Sequence, residues 1–408
     1  MKLDVGSKRF PLWMALVFLA LSSLHVDSTV AEERQVKIAG FGTKSGVLRQ
    51  FGVNSEAAML AAAEQINKAG GVKLGDGSKG KIVVEFFDDR CAAEEGISVV
   101  RRIASADWLV AIGPTCSPVA EPLFGVLQKK AGDSSDSGLQ MPIFTDVAIK
   151  PGLAKISEWA FRNVPNETGM YESLFTWLKT THPEARSVFG GVEEDYAHSR
   201  ATWYSVMKAK AKAAGYDVKD EKGEAKWLLN DTSFATQVRE MKAAGADVIA
   251  ISAHPFTTCG VLKEMQRQGV KPKVLVGLTS TSSLETMKAC GAQAEGMIIP
   301  TSYAPINPRA IAASEATAKH NGFADLHSMA AWENVFILKQ VIESEGVLGK
   351  SDSVKADRDK IRAGLAKLKE TDGLLGKSQR TPDREAIKPF LFVQAKNKNW
   401  QVVHTPAQ

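Results

Sequence analysis

Long apolar runs are almost absent from these 408 residues. Past residue 24 no stretch is hydrophobic enough to cross a bilayer, which takes ~20 apolar residues in a row. Cysteine is scarce as well. Cys91, Cys116, Cys259 and Cys290 lie far apart with no CxxC pair, which argues against the common zinc and dithiol motifs. Four cysteines allow three full pairings, and spacing alone does not choose among them. There is no HExxH and no GxSxG, so a zinc hydrolase and a nucleophile elbow are both unsupported. His254 follows a predicted strand, His327 opens a predicted helix, and the other five histidines show no ligand spacing. Nor is charge concentrated. Lys+Arg 51 against Asp+Glu 46 gives a scattered surplus of +5, whereas nucleic acid calls for a basic stripe. Catalysis is therefore unsupported, and no metal, cofactor or nucleic-acid partner is expected.

What is present begins at the N-terminus. Lys2, Lys8 and Arg9 precede an apolar run over 11–24, and Thr29-Val30-Ala31 then supplies small residues. Basic, apolar, then small is the order of a secretory signal peptide, here 1–31 with cleavage after Ala31. An anchor would need a longer run. No cysteine stands at the cut, so lipid attachment there is not expected. Outside the cytoplasm, disulfides form readily. Hydrophobic content of 44% and charged content of 24% fit a globular chain with a real core, and the length suits two domains.

β-Branched runs alternate with amphipathic stretches. Strands are predicted over 36–40, 81–87, 108–112 and 141–145, with helices over 55–69, 92–105 and 121–130. The rhythm then restarts. Strands over 187–190, 247–252, 273–277 and 296–300 alternate with helices over 199–214, 234–244, 259–268, 283–289 and 327–344. Ser199 and the run Asn230-Asp231-Thr232-Ser233 are the expected caps of their helices. A hairpin turned at Asn397-Lys398-Asn399 closes the chain. Two such series predict an α/β fold of two doubly wound, Rossmann-like lobes, with a ligand cleft where loops leave the carboxyl ends of the strands.

Some loops imitate known motifs without meeting them. Gly40-Phe41-Gly42-Thr43-Lys44-Ser45-Gly46 follows the first strand, but Ser45 stands where a dinucleotide fingerprint needs its third glycine. It reads instead as a flexible ligand-contact loop. Gly349-Lys350-Ser351 and Gly376-Lys377-Ser378 lack the earlier glycine of a phosphate loop and read as surface turns. Asp88-Asp89 reads as turn and cap. Thr115, Cys116 and Ser117 are different, because they follow a strand and open a helix. A helix N-terminus with a hydroxyl beside it suits a carboxylate.

Seven segments in order, VKIAGFGTKSGVLRQFG, AAEQINKAGGV, EFFDDRC, AIGPTCSPVAEPL, FRNVPNE, VEEDYAHS and DVIAISAHP, resemble the leucine/isoleucine/valine-type periplasmic binding proteins of ABC importers. The resemblance covers nearly all of the mature chain. It implies three hinge crossings, near Arg162, Thr301 and Lys388, with lobe 1 built from 32–161 plus 302–387 and lobe 2 from 162–301 plus 388–408. It implies a Cys91–Cys116 disulfide, and it leaves Cys259 and Cys290 either bonded to each other or simply buried. It carries the ligand contacts onto Phe51, Ser117, Val147, Ala148, Ile149 and the lid residue Tyr196, with Ala253, His254, Thr279 and His327 completing the wall. Thr115 joins them from the helix-terminus argument.

The resemblance further implies a monomeric, periplasmic, non-enzymatic protein that captures a small carboxylate by lobe closure and delivers it to an ABC permease. A ligand sensor on the same fold is the rival reading. Ile149 and Thr279 stand where the family's amino-acid binders place a Thr hydroxyl and a Glu carboxylate around the ligand's ammonium. A buried ammonium without a counter-charge costs several kcal/mol, on the order expected for a desolvated ion. An aromatic or other hydrophobic acid is therefore expected ahead of a branched-chain or other hydrophobic amino acid, unless Asp146 substitutes for the missing carboxylate.

Overall fold

The computed structural model describes residues 1–3, 34–221 and 223–407; apart from its first three residues, the proposed leader lies outside them. Arg34–Gln408 is one compact unit. Within it, one sheet takes β1 (Arg34–Gly42), β2 (Val72–Lys73), β3 (Lys79–Asp88), β4 (Val110–Ile112), β5 (Ile143–Thr145) and β6 (Ala160–Arg162) in the order β2-β3-β1-β4-β5-β6. All its pairings are parallel except β2 with β3. On one face lie α1 (Arg49–Lys68), α10 (Pro308–Lys319), α11 (Leu326–Ser344) and α12 (Val354–Lys367), and on the other α2 (Ala93–Ser105) and α3 (Ser117–Gly125). Ala57, Ala58, Ala61 and Ala62 give α1 a small-residue face, buried with Ala330 and Ala331 of α11 nearby. Lobe 1 is thus doubly wound, with helices supplied from both ends of the chain.

Lobe 2 repeats the plan. Its sheet joins β7 (Ser187–Glu193), β8 (Asp217–Val218), β9 (Ala225–Trp227), β10 (Val248–Ser252), β11 (Val274–Gly277), β12 (Ile298–Thr301), β16 (Leu391–Lys396) and β17 (Asn399–His404). Around it lie α4 (Glu167–Thr181), α5 (Ala197–Ala201), α6 (Lys208–Ala213), α7 (Ala235–Ala244), α8 (Pro255–Gln268) and α9 (Leu284–Cys290). Every residue of β7 and β10 is buried, as expected of central parallel strands covered on both faces. A Cβ on Gly190 would sit 2.2 Å from the Trp203 ring, and one on Gly191 2.7 Å from Trp227. The glycine pair lets an indole lie on each face of the strand.

The chain leaves the first sheet after β6, leaves the second after β12 and returns to it at β16. A small antiparallel sheet of β13 (Glu370–Gly373), β14 (Gly376–Arg380) and β15 (Ala386–Ile387) precedes the last crossing. Buried charges meet there. Arg162 Nη1 donates to both oxygens of Glu385, at 2.9 and 2.7 Å. The Lys388 ammonium pairs with Glu333, which also accepts from Asn163 Nδ2 at 3.0 Å and Leu374 N at 2.7 Å.

Several expectations shift. The helix expected over 121–130 runs Ser117–Gly125, because the chain turns at Val126. Ser199 is no cap. Tyr196 takes that position, the Ser199 hydroxyl turns to Glu193, and the helix passes through a π-helical stretch, Thr202–Met207, before α6. Phe234, not the run 230–233, precedes α7, and Asp231 instead accepts from Leu228 N at 2.8 Å. Gly376-Lys377-Ser378 opens β14 and is not a turn. Asp88 and Asp89 make the expected turn, accepting from Arg90 N and Cys91 N, but Ala92 is the uncapped start of α2.

Candidate functional site

In lobe 1 the strand order reverses direction between β1 and β4, and a doubly wound sheet receives its ligand at such a point. Thr115 Oγ1, in the loop after β4, accepts from Thr43 N in the loop after β1 at 2.9 Å. Only glycine fits at Gly42, where a Cβ would fall 2.3 Å from the Thr115 methyl. The Cys91–Cys116 disulfide ties the loop after β3 to the start of α3. Pro118 has no amide hydrogen to offer, and Val119 N and Ala120 N both donate back to Cys116 O. That leaves the Ser117 hydroxyl, beside an N–H that meets the Tyr196 phenol, as the polar group of the helix start. The hydroxyl accepts only a long 3.4 Å contact from Lys150 N.

The lobe 2 reversal lies between β7 and β10. Glu193, the last residue of β7, is fully buried and surrounded by donors. It accepts from His254 Nδ1–H (2.6 Å), Thr257 Oγ1 (2.7 Å), Ser199 Oγ (3.2 Å) and His254 N (3.4 Å). Burial opposes its charge, but His254 and the hydroxyl outweigh it and hold the carboxyl below the usual range. Glu167 repeats the device one layer behind. His198 Nε2–H donates to it at 3.0 Å, Thr202 Oγ1 at 2.6 Å, and the Thr279 hydroxyl donates as well. Burial pushes His198 down while Glu167 stays low. A neutral imidazole donating from Nε2 to an ionised carboxylate satisfies both.

Aromatic rings join the halves. His254 stands edge-on to Phe51 of α1 at 6.1 Å and to Tyr196 at 4.4 Å, and Phe51 meets His327 at 5.4 Å. Phe51, Val147 and Tyr196 share one apolar cluster with Leu48, Cys116 and Val119. The Tyr196 phenol, pushed up by burial, has the Ser117 amide beside its oxygen. The Asp325 capping box starts α11 and orients His327, whose Nε2 shares a 2.9 Å hydrogen bond with Ser280 Oγ of lobe 2. Of the sequence candidates, Phe51, Thr115, Ser117, Val147, Tyr196, His254 and His327 are thus buried close together at the loop ends of the two sheets. The other four make their contacts elsewhere, Ala253 in the lobe 2 core with its carbonyl accepting from the Thr258 and Thr281 hydroxyls. Ala148 packs in the core beneath and accepts from Arg162 Nη2. Ile149 lines a cavity of about 110 Å³ on the hinge side, together with Arg162 and Glu167. Thr279 turns to Glu167.

Sequence reasoning missed Glu193 and Glu167. The only signal was position, since each lies at a strand or helix end where loops converge. Two further acids keep an unpartnered oxygen, Asp89 Oδ2 and Asp146 Oδ1. Burial raises Asp89 to about 6 and Asp146 to about 7. Cys259 and Cys290 are bonded, linking α8 to α9. Among the described residues no cluster of His, Cys, Asp and Glu could hold a metal ion.

This two-lobed geometry has relatives. A family model described as periplasmic binding protein matches residues 35–399. The chain belongs to that family. Its members bind solutes for ABC importers and are not enzymes. Among similar proteins, a Leu/Ile/Val-binding protein homolog of Brucella melitensis biotype 1 is 25% identical over 342 residues, 82% of this chain and 87% of the relative. A Streptococcus pneumoniae branched-chain amino acid transporter substrate-binding protein, solved in complex with isoleucine, superposes with a TM-score of 0.74 at 18% identity, covering 91% of this chain and 100% of that one. A solute-binding protein from R. palustris, solved with 4-hydroxybenzoate, gives 0.75 at 18% identity over 92% and 97%. At such identities the solved structures speak for the fold alone.

Proposed function

We propose that the chain is the exported, periplasmic and monomeric binding component of an ABC importer, and that it captures a small aromatic or hydrophobic carboxylate. The Ser117 N–H and hydroxyl receive the acid, the rings of Phe51, Tyr196 and His254 cover the apolar body, and lobe closure about the three crossings seals the cleft. One observation carries the preference for an acid without an amino group. The wall's low-lying carboxylates, Glu193 and Glu167, have their oxygens occupied by the protein's own donors. A ligand ammonium would find no committed anion there, and burying it unpaired is costly.

A hydrophobic amino acid is the second reading. It is favoured by the unpartnered Asp146 Oδ1 and by the amino acids named for the relatives. Burial raises Asp146 to about 7, which makes it a weak counter-ion at neutral pH. Thermal-shift measurements with benzoate, 4-hydroxybenzoate and phenylacetate against leucine, isoleucine and phenylalanine decide between the two. Stabilisation by the acids alone is expected; stabilisation by the amino acids alone overturns the preference.

A further inference from the structure

Tyr196 bridges the halves of the cleft. Its ring packs on His254 at 4.4 Å, and its phenol oxygen lies beside the Ser117 amide of the facing lobe. Tyr196 therefore stands between His254 and the start of α3, and an acid group that touches both would take the place of its phenol oxygen. His254 is not a free imidazole. Its Nδ1–H is committed to Glu193, and Thr257, Ser199 and the His254 amide hold that carboxylate in turn. The ring nitrogen left for a ligand is Nε2.

We infer that His254 is the lobe 2 receptor of the ligand's acid group: Nε2–H donates to one carboxylate oxygen while the Ser117 N–H and hydroxyl hold the other from lobe 1. This rests on the proposed function, which it deepens by making one acid group the link that draws the lobes together. A ring that donates from both nitrogens carries both protons. The acid then meets an imidazolium backed by Glu193, and the positive charge sits between two carboxylates. Charge-assisted hydrogen bonds of this kind are shorter and stronger than neutral ones. Glu193 is the positioning residue, fixing the ring's orientation and tautomer much as a carboxylate orients a metal-bound histidine.

The neighbouring groups are compatible with that charge. His198 on α5 lies 5.5 Å from the ring, and His327 on α11 lies across Phe51. Burial pushes both of these imidazoles down, so neither adds a competing positive charge. Glu285 on α9, raised by burial, Asp89 after β3, raised to about 6, Asp325 at the start of α11 and Arg49 on α1 are further ionisable groups near this side. Tyr196 on the α5 side is kept neutral by burial.

The test is calorimetry on the intact chain with three acids, benzoate, phenylacetate and leucine, each beside its neutral amide. Wild-type protein is expected to prefer at least one acid over its amide. His254→Gln should lower that acid's affinity by about 30-fold or more and the amide's by less than about 3-fold, the size of a lost charge-assisted bond. Acid binding that His254→Gln leaves within about 3-fold overturns the inference while leaving the function standing. Wild-type protein that binds none of the three acids overturns both. Should His254→Gln fail to fold, nitrogen NMR of the wild-type ring decides: both nitrogens protonated in the acid complex is expected, and one protonated nitrogen overturns the receptor role.

Discussion

The two halves of the cleft are built from different chemistry. Lobe 1 presents neutral groups: one helix-start amide, the Ser117 and Thr115 hydroxyls, Phe51 and Val147, with a disulfide holding the loops. Lobe 2 presents ionised carboxylates, each buried with a histidine and threonine hydroxyls. Neutral hydroxyls and rings cost little to bury, whereas a buried carboxylate needs permanent partners. All the partners of Glu193 and Glu167 lie in lobe 2 itself. Opening the cleft breaks none of them. Contacts that opening does break are modest ones, such as Ser280 to His327 and the ring edges at Phe51. Lobe 2 therefore keeps a prebuilt polar face, and the closed state is held by contacts that a ligand can tip.

The contrast is sharpest in stability. Glu193→Ala would leave His254 and Thr257 without their acceptor, with Ser199 keeping only the Tyr196 carbonyl, and we expect a loss of about 3–5 kcal/mol in urea unfolding. Ser117→Ala, with one long contact to lose, should cost under about 1 kcal/mol; equal losses would erase the difference between the halves. The lobe 1 exceptions are Asp89, raised to about 6, and above all Asp146. Its folded value, about 7, lies above the ordinary carboxyl value near 3.9, so the charged form penalises the fold. That penalty is absent below about pH 4, grows through about pH 7 and is full above it. Asp146→Asn, which can still accept from Ser55, should raise the melting temperature at about pH 8 and leave it unchanged near pH 4, with an upper bound of about 4 kcal/mol. A shift of the same size at both ends would place the effect elsewhere. Smallest of all, Ser280→Ala removes one bond across the cleft. A shift of about 1 kcal/mol toward the open form should appear as a larger radius of gyration in solution scattering without ligand.

Much of the fold was legible because alternation survives in the sequence: 36–40, 81–87 and 247–252 are β-branched runs that became β1, β3 and β10. The elements not foreseen carry weak patterns. Strands β13 and β14 read ETDG and GKSQR, polar and short, and their identity comes from pairing with each other. Helix α4 starts at a polar ETG triplet after Asn166. In the site, rings and hydroxyls were legible by resemblance, while Glu193 and Glu167 were hidden among 46 acidic residues. Nothing in VEEDYAHS says which glutamate is buried. That depends on Thr257 and His254, some sixty residues further on.

Arg358 of α12 donates to the carbonyls of Ile103, Ala104, Ala106 and Trp108, finishing the C-terminal end of α2 from 250 positions downstream. With α10 and α11 it makes lobe 1 an assembly of the chain's beginning and its far end. During synthesis or threading from the N-terminus, the opening segment has half a core and an unfinished helix until lobe 2 has already passed. The order of emergence therefore favours lobe 2, whose first twelve elements are contiguous in sequence, as the earlier half to settle.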